Sequence, residues 1–204
     1  MNEGIATNNR IVIKGYLDTP LEFSHRLYGE GFYSCVFRVP RLSESCEYLQ
    51  VTISERLYGS AELAPGEMYC ITGQLRSYNK YIDNVSRLIL TIFAQKLEPC
   101  EGEPMNEIEL SGYVCKEPIY RTTPFKREIT DMLIAVNRSY NKSDYIPCIT
   151  WSRNARYATK LEVGQKVSLC GRMQSSIYEK SLPDGNVIER TAYEVSVSRL
   201  ELCE

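Results

Sequence analysis

The sequence holds one histidine and one tryptophan in 204 residues. A lone imidazole, His25, removes most triad and acid–base chemistry and leaves carboxylates, lysines and tyrosines as proton carriers. No G-x-S-x-G, P-loop, G-x-G-x-x-G or paired-carboxylate motif is present, so an enzyme is not expected. A magnesium nuclease built on Asp131 and Asp144 is set aside because both carboxylates read as solvated loop residues. Long apolar runs are missing too. The longest, Leu88 to Leu90 and then Ile92 to Ala94 after Thr91, falls far short of the ~18–20 residues of a membrane span. Met1 to Arg10 are polar, with no apolar stretch before a small-residue cleavage site, so a cytoplasmic home is expected. The eight cysteines, at 35, 46, 70, 100, 115, 148, 170 and 203, include no close pair. That spacing argues against zinc knuckles and against a disulfide framework; free, mostly buried thiols are expected, with no metal and no cofactor.

What the sequence does have is 43% hydrophobic and 25% charged residues, as in an ordinary globular protein, and a long internal repeat. Arg10-Ile-Val-Ile-Lys-Gly-Tyr16 recurs 97 positions later as Glu107-Ile-Glu-Leu-Ser-Gly-Tyr113. At the same offset Cys35 to Val39 meets Met132 to Val136, Arg41 meets Arg138 and Tyr48 meets Tyr145. At 98, Ile71, Gly73, Leu75 and Ser77 meet Leu169, Gly171, Met173 and Ser175; at 103, Arg87, Ile92 and Cys100 meet Arg190, Val195 and Cys203. The copies differ mainly by five residues inserted between Ser175 and Arg190. The expected organisation is an N-terminal domain over 1–98, a Pro/Gly-containing acidic linker over 99–104 and a C-terminal domain over 105–204.

Each copy alternates apolar and polar residues in the same order. In the second, strands are expected near 108–114, 132–136 and 145–151, a short helix over 152–161, and further strands near 167–173 and 192–198. Five strands with a helix between the third and fourth is the order of the oligonucleotide-binding (OB) fold, so the fold class is all-β, with two tandem five-stranded OB barrels. Alternation puts Val167, Leu169 and Met173 inside the barrel, and Lys166, Ser168 and Arg172 outside. Gly15, Gly73, Gly112 and Gly171 fall within strands, where a glycine marks a bulge or bend in preference to the competing reading of a simple turn.

The aromatic residues stand in suggestive places. Tyr140, Tyr145, Trp151 and Tyr178 lie on or beside the second and third strands and the last hairpin of the second copy. Tyr145 and Trp151 are six apart, which on a regular strand puts both on one face roughly 20 Å from each other. Arg121, Lys126, Arg127, Arg138, Lys142, Arg153, Arg156, Lys160 and Arg172 interleave with them. Flat rings among cations suit unpaired nucleic acid, whose bases stack at ~1–3 kcal/mol each while phosphates take the charge. The competing reading, for any one ring, is a tyrosine that buries its body in the core and wets its hydroxyl.

From Asn106-Glu-Ile-Glu-Leu-Ser-Gly112 through Ile134-Ala-Val-Asn-Arg-Ser-Tyr140 and Asp144-Tyr-Ile-Pro-Cys-Ile-Thr-Trp151 to Leu161-Glu-Val-Gly-Gln-Lys-Val-Ser-Leu-Cys-Gly-Arg-Met173, the second copy resembles the bacterial single-stranded DNA-binding proteins. The resemblance implies base stacking on Tyr140, Tyr145, Trp151 and Tyr178, contact with single-stranded DNA in replication, recombination or repair, and a homodimer presenting four OB folds. The first copy departs from the pattern. Ser43, Ser54 and Lys80 stand opposite Tyr140, Trp151 and Tyr178, and only Tyr48 keeps a ring, with Tyr78 and Tyr81 as candidate substitutes in its hairpin. Residues 1–103 carry ten basic and thirteen acidic side chains, and residues 104–204 fourteen and thirteen, so the second copy is expected to supply most of the affinity. The sequence stops at Leu200-Glu-Leu-Cys-Glu204, without the acidic tail by which many relatives recruit partner proteins, so such recruitment is not expected. The alternative is an OB-fold interaction module, resembling primosomal accessory proteins, with weak or no nucleic-acid binding. Lys180 to Asn186 carries turn chemistry, and a loop there is expected to be mobile without DNA.

Overall fold

Alternating burial runs along nearly every predicted strand in a computed structural model of the chain, which describes residues 8–43, 45–59, 63–82, 85–181 and 187–203. The N-terminal half contains β1 (Asn9–Leu17), β2 (Glu22–Leu27), β3 (Glu30–Pro40), β4 (Cys46–Ser54), α1 (Glu55–Tyr58), β5 (Met68–Ile82) and β6 (Val85–Pro99). The C-terminal half repeats the order with β7 (Met105–Val114), β8 (Ile119–Thr122), β9 (Glu128–Arg138), β10 (Lys142–Trp151), α2 (Ser152–Ala158), β11 (Lys166–Ser181) and β12 (Val187–Leu202).

Each half closes into a five-stranded barrel. β1 pairs antiparallel with both β3 and β5, β5 with β6, and β3 with β4; the parallel contact Val51–Ile92 between β4 and β6 completes the ring. β7, β9, β10, β12 and β11 repeat this, closed by the parallel pair Cys148–Val195. Val167, Leu169 and Met173 face inward as their alternation requires and meet Ile108, Ile134, Ile146 and Val195 in the core. All four strand glycines lie where another strand's backbone crosses at close range. A Cβ on Gly171 would come within 2.2 Å of the Ser196 carbonyl oxygen, and one on Gly73 within 2.3 Å of that of Phe93. A β-bulge sits at each of these two crossings.

The two β-strands absent from the expectation, β2 and β8, are exposed along their whole length and form the outer edges of the sheet. Both faces meet water, so neither carries the apolar alternation by which a strand is read from sequence. The helix expected over 152–161 ends at Ala158 and tapers into tight turns, with Lys160 N–H donating to the Tyr157 carbonyl at 3.0 Å and Leu161 N–H to that of Ala158 at 3.1 Å. The expectation of mostly buried thiols is corrected. All eight cysteines are free, but only Cys35 and Cys148 are buried and the other six are half-buried, at strand ends or on outward-facing positions. Burial pushes the Cys35 thiol pKa up to about 12. Residues 182–186, most of the stretch expected to form a mobile loop, lie outside the described residues, as does the side chain of Tyr178 on β11. Among the described residues no helix is long and apolar enough to cross a membrane.

The barrels are joined through their first strands. β1 runs antiparallel to β7, with Ile11 opposite Ile108 and Asn9 opposite Leu110, so one twelve-stranded sheet runs through the molecule. Ile11 and Ile108 are repeat equivalents, 97 apart, so an approximate two-fold axis passes between them. The junction has the self-complementary character of a symmetric dimer interface, made within one chain.

Candidate nucleic-acid interface

Two buried carboxylates clasp the junction. Asp144 on β10 is fully buried. Its Oδ1 accepts from the Ser77 N–H at 2.8 Å and its Oδ2 from the Arg76 guanidinium at 3.0 Å, while Arg138 stands 3.7 Å from Oδ1. Across the axis, Glu47 on β4 is 3% exposed; its Oε2 accepts from the Ser175 N–H at 2.7 Å and its Oε1 from Arg41 at 3.2 Å. The hydroxyl of Ser77 accepts from the Tyr145 N–H at 2.7 Å, and that of Ser175 from the Tyr48 N–H at 3.2 Å. Asp144 is therefore no solvated loop residue, and Asp131, on β9, is half-buried and held by Arg121.

The clasp sets the positions of the predicted rings. On β10 the even positions from Asp144 to Thr150 face the interior, while Tyr145, Pro147, Ile149 and Trp151 share the other face. Tyr145 is 46% exposed and its counterpart Tyr48 is 45% exposed. Trp151 ends β10. Ser152 then takes a left-handed φ of 50°, costing about 1–2 kcal/mol for a residue with a Cβ, and turns the chain sharply into α2. The Trp151 indole N–H donates to Ser196 Oγ at 3.1 Å, which fixes the plane of a half-buried ring. Tyr140 is 93% exposed at the tip of the β9–β10 hairpin, where Tyr140 and Asn141 both take left-handed φ values, 64° and 53°. Asparagine is at ease there; a tyrosine with its ring in water is not. In the first copy, Tyr78 is 50% and Tyr81 77% exposed on β5.

Two open clefts flank the axis. One, of about 440 Å³, is lined by Arg41, Glu47, Arg127, Trp151, Arg172 and their neighbours; the other, of about 670 Å³, by Arg76, Arg138, Tyr140, Lys142 and theirs. Their size falls within the range of small-ligand sites. The predicted cations divide into two groups. Arg121 grips Asp131 through two contacts, Arg156 grips Glu128 at 2.7 Å, and Arg138 faces Asp144; hydrogen bonds to those carboxylates raise the pKa of Arg121 and of Arg156. Lys126, Arg127, Lys142, Arg153 and Lys160 are exposed and have no carboxylate partner among the described residues. Arg127 is carried by a turn in which its N–H donates to Thr123 Oγ1 at 3.1 Å and the Thr123 N–H donates back to its carbonyl at 2.9 Å. Arg172 is half-buried, its Nε has no hydrogen-bond partner among the described residues, and burial followed by the nearby Arg41 lowers its pKa.

Sequence reasoning missed Glu47, Ser77, Arg76 and the pair Asn9 and Asn106. Asn9 donates to the Leu75 carbonyl at 2.8 Å and accepts from the Leu75 N–H at 2.9 Å, and Asn106 does the same to Met173, so each side chain continues the ladder where the first strand leaves its own barrel. The signal was in the repeat: an asparagine, an acid and a serine recur at matched positions within otherwise apolar alternation. Among the described residues no cluster of His, Cys, Asp and Glu could hold a metal ion.

Comparison with known proteins agrees with this architecture. The model of the single-strand binding protein family matches residues 105–203. Single-stranded DNA-binding protein 2 of Listeria innocua is 32% identical over 84 residues, covering 38% of this chain and 53% of that protein. Single-stranded DNA-binding protein A of Bacillus subtilis is 33% identical over 82 residues, covering 37% and 48%. The chain spans about half the length of the curated relatives it matches. The solved structure of the wild-type single-stranded DNA binding protein from Thermus aquaticus superposes with a TM-score of 0.77 at 19% identity, over 96% of this chain and 93% of that one, and shares its fold.

Proposed function

We propose, because the model of the single-strand binding protein family matches the C-terminal half of this chain and the N-terminal half repeats its fold, that the protein coats single-stranded DNA with little sequence preference, as a binder and not a catalyst. Bases stack on Tyr140, Tyr145, Trp151 and Tyr178, with Tyr48 in support, and phosphates run along the cations beside them. The exposed Lys126, Arg127, Lys142, Arg153 and Lys160 act at once, whereas Arg121, Arg138 and Arg156 exchange a carboxylate for a phosphate. The observation that carries the reading is a set of rings left accessible at cost: Tyr140 at 93% exposure in a left-handed turn, and Tyr145 at 46% on the outer face of β10. Its cellular setting is cytoplasmic DNA replication, recombination or repair, and its assembly a homodimer presenting four barrels, which sedimentation would register as twice the chain mass.

The test is a titration with oligo-dT followed through Trp151, the only tryptophan. Binding quenches its emission, and affinity falls steeply as salt rises because each phosphate contact releases counterions. Absence of quenching at low salt with micromolar protein would refute the reading and favour an interaction module. Matched DNA and RNA strands in the same assay measure the preference between them.

A further inference from the structure

The two carboxylate clasps at the junction, Asp144 on Ser77 and Glu47 on Ser175, are repeat equivalents that have solved their charge balance differently. In one, Arg76 of the N-terminal domain reaches Asp144 of the C-terminal domain at 3.0 Å. At the 98-residue offset, Arg76 corresponds to Gln174 and Gln74 to Arg172, so at the other clasp, in the cleft that Trp151 lines, the arginine has moved by two positions. Gln174 donates to Glu194 at 2.7 Å, turned away from Glu47. Glu47 is already engaged: Oε2 takes the Ser175 N–H at 2.7 Å and its hydroxyl at 3.1 Å, and Oε1 takes Arg41 at 3.2 Å. Among the described residues the buried Arg172 Nε–H consequently has no acceptor, and a desolvated donor left unpaired favours an incoming oxygen. Arg41, Arg127 and Arg172 thus face one carboxylate beside the Trp151 ring. Toward the linker the same two arginines border a second hollow, but there Glu101, Glu103 and Glu107 repel an anion.

We infer that this cleft is a nucleotide subsite shared by both domains, with the phosphate held between Arg41 of the N-terminal barrel and Arg172 of the C-terminal barrel while the base lies against Trp151. The inference rests on the single-strand-binding reading above and adds to it. The N-terminal copy, poor in stacking rings, contributes a cation to its neighbour's site, and the bound strand crosses from one barrel to the other at this point.

The test uses the full chain, oligo-dT and Trp151 fluorescence across a salt series. Arg41→Ala and Arg172→Met each lose about tenfold in affinity at low salt and lower the slope of log K against log salt by about one, while the quenching amplitude at saturation is retained. Arg172→Met breaks no ion pair, so it reads the subsite even if Arg41→Ala loosens the clasp through Glu47. Arg41→Lys keeps the slope. Arg56→Ala, on α1 of the same domain with an 83% exposed side chain, changes neither quantity. A parent slope in both Arg41→Ala and Arg172→Met, with the parent binding normally, overturns the shared subsite and leaves the single-strand reading intact. Weaker binding at an unchanged slope also overturns it, since that marks a purely structural role. Failure of the parent itself to bind overturns both.

Discussion

Removing the Asp144 carboxylate is the sharpest test of how the two barrels are held. In Asp144→Ala the Ser77 N–H loses its acceptor, and Arg76 and Arg138 face each other across the space the carboxylate filled. Breaking a buried ion pair by deleting one partner costs about 3–5 kcal/mol, and an orphaned buried N–H about 1–3 kcal/mol; the two overlap because they describe the same site. Arg76 and Arg138 keep side-chain exposures of 23% and 33%, so both recover some hydration and the lower end applies, about 3 kcal/mol. For a chain of this length each kcal/mol lowers Tm by about 2–4 °C, giving a drop of about 6–12 °C. Asp144→Asn keeps an acceptor for the Ser77 N–H and costs less. The assay is urea and thermal denaturation of the whole chain, with a double-mutant cycle against Arg76→Ala to isolate the contact between domains. A loss below about 0.5 kcal/mol in Asp144→Ala, or no coupling to Arg76, would refute the clasp.

Three further outcomes are expected. Trp151→Ala weakens oligo-dT binding by about 1–3 kcal/mol, read through a labelled strand, while Ser54→Ala at the matching N-terminal position changes little; equal effects would end the claimed asymmetry between the copies. Gly171→Ala drives a Cβ against the Ser196 backbone and lowers the urea midpoint by the equivalent of about 1–3 kcal/mol, so an unchanged midpoint contradicts the close crossing. Burial raises the Glu194 pKa, with the Gln174 hydrogen bond opposing, so the folded protein holds this proton to higher pH than the unfolded chain does. Stability is then lost as pH rises from the ordinary carboxylate range through the raised folded value; Glu194→Gln should exceed the parent in urea midpoint at pH 8 and converge on it by pH 4, and a gap that does not narrow contradicts this.

Much of the fold was legible from local pattern, because half-buried strands impose a period of two that the chain carries openly. Val167, Leu169 and Met173 read inward and are buried, and the even spacing of Tyr145 and Trp151 places them on one face of β10. Strands β2 and β8 were illegible for the same reason: with both faces in water, their residues answer to no burial constraint. Asp144 misled because an isolated acid next to a tyrosine looks solvated when its partner, Arg76, stands 68 positions away.

By itself the sequence determined the repeat, the order of strands, the inward and outward phase of each and the inventory of rings and cations, all of which follow from covalent spacing and the pleat. Tertiary structure alone decided that β1 pairs with β7, that Glu47 and Asp144 are sealed at the joint, and that Arg121, Arg138 and Arg156 are matched by carboxylates while, among the described residues, the Arg172 Nε–H has no acceptor. A strand's open edge can take any partner with free N–H and C=O groups, and a charge is neutral or exposed only relative to what folding brings beside it, so neither property exists until distant segments meet.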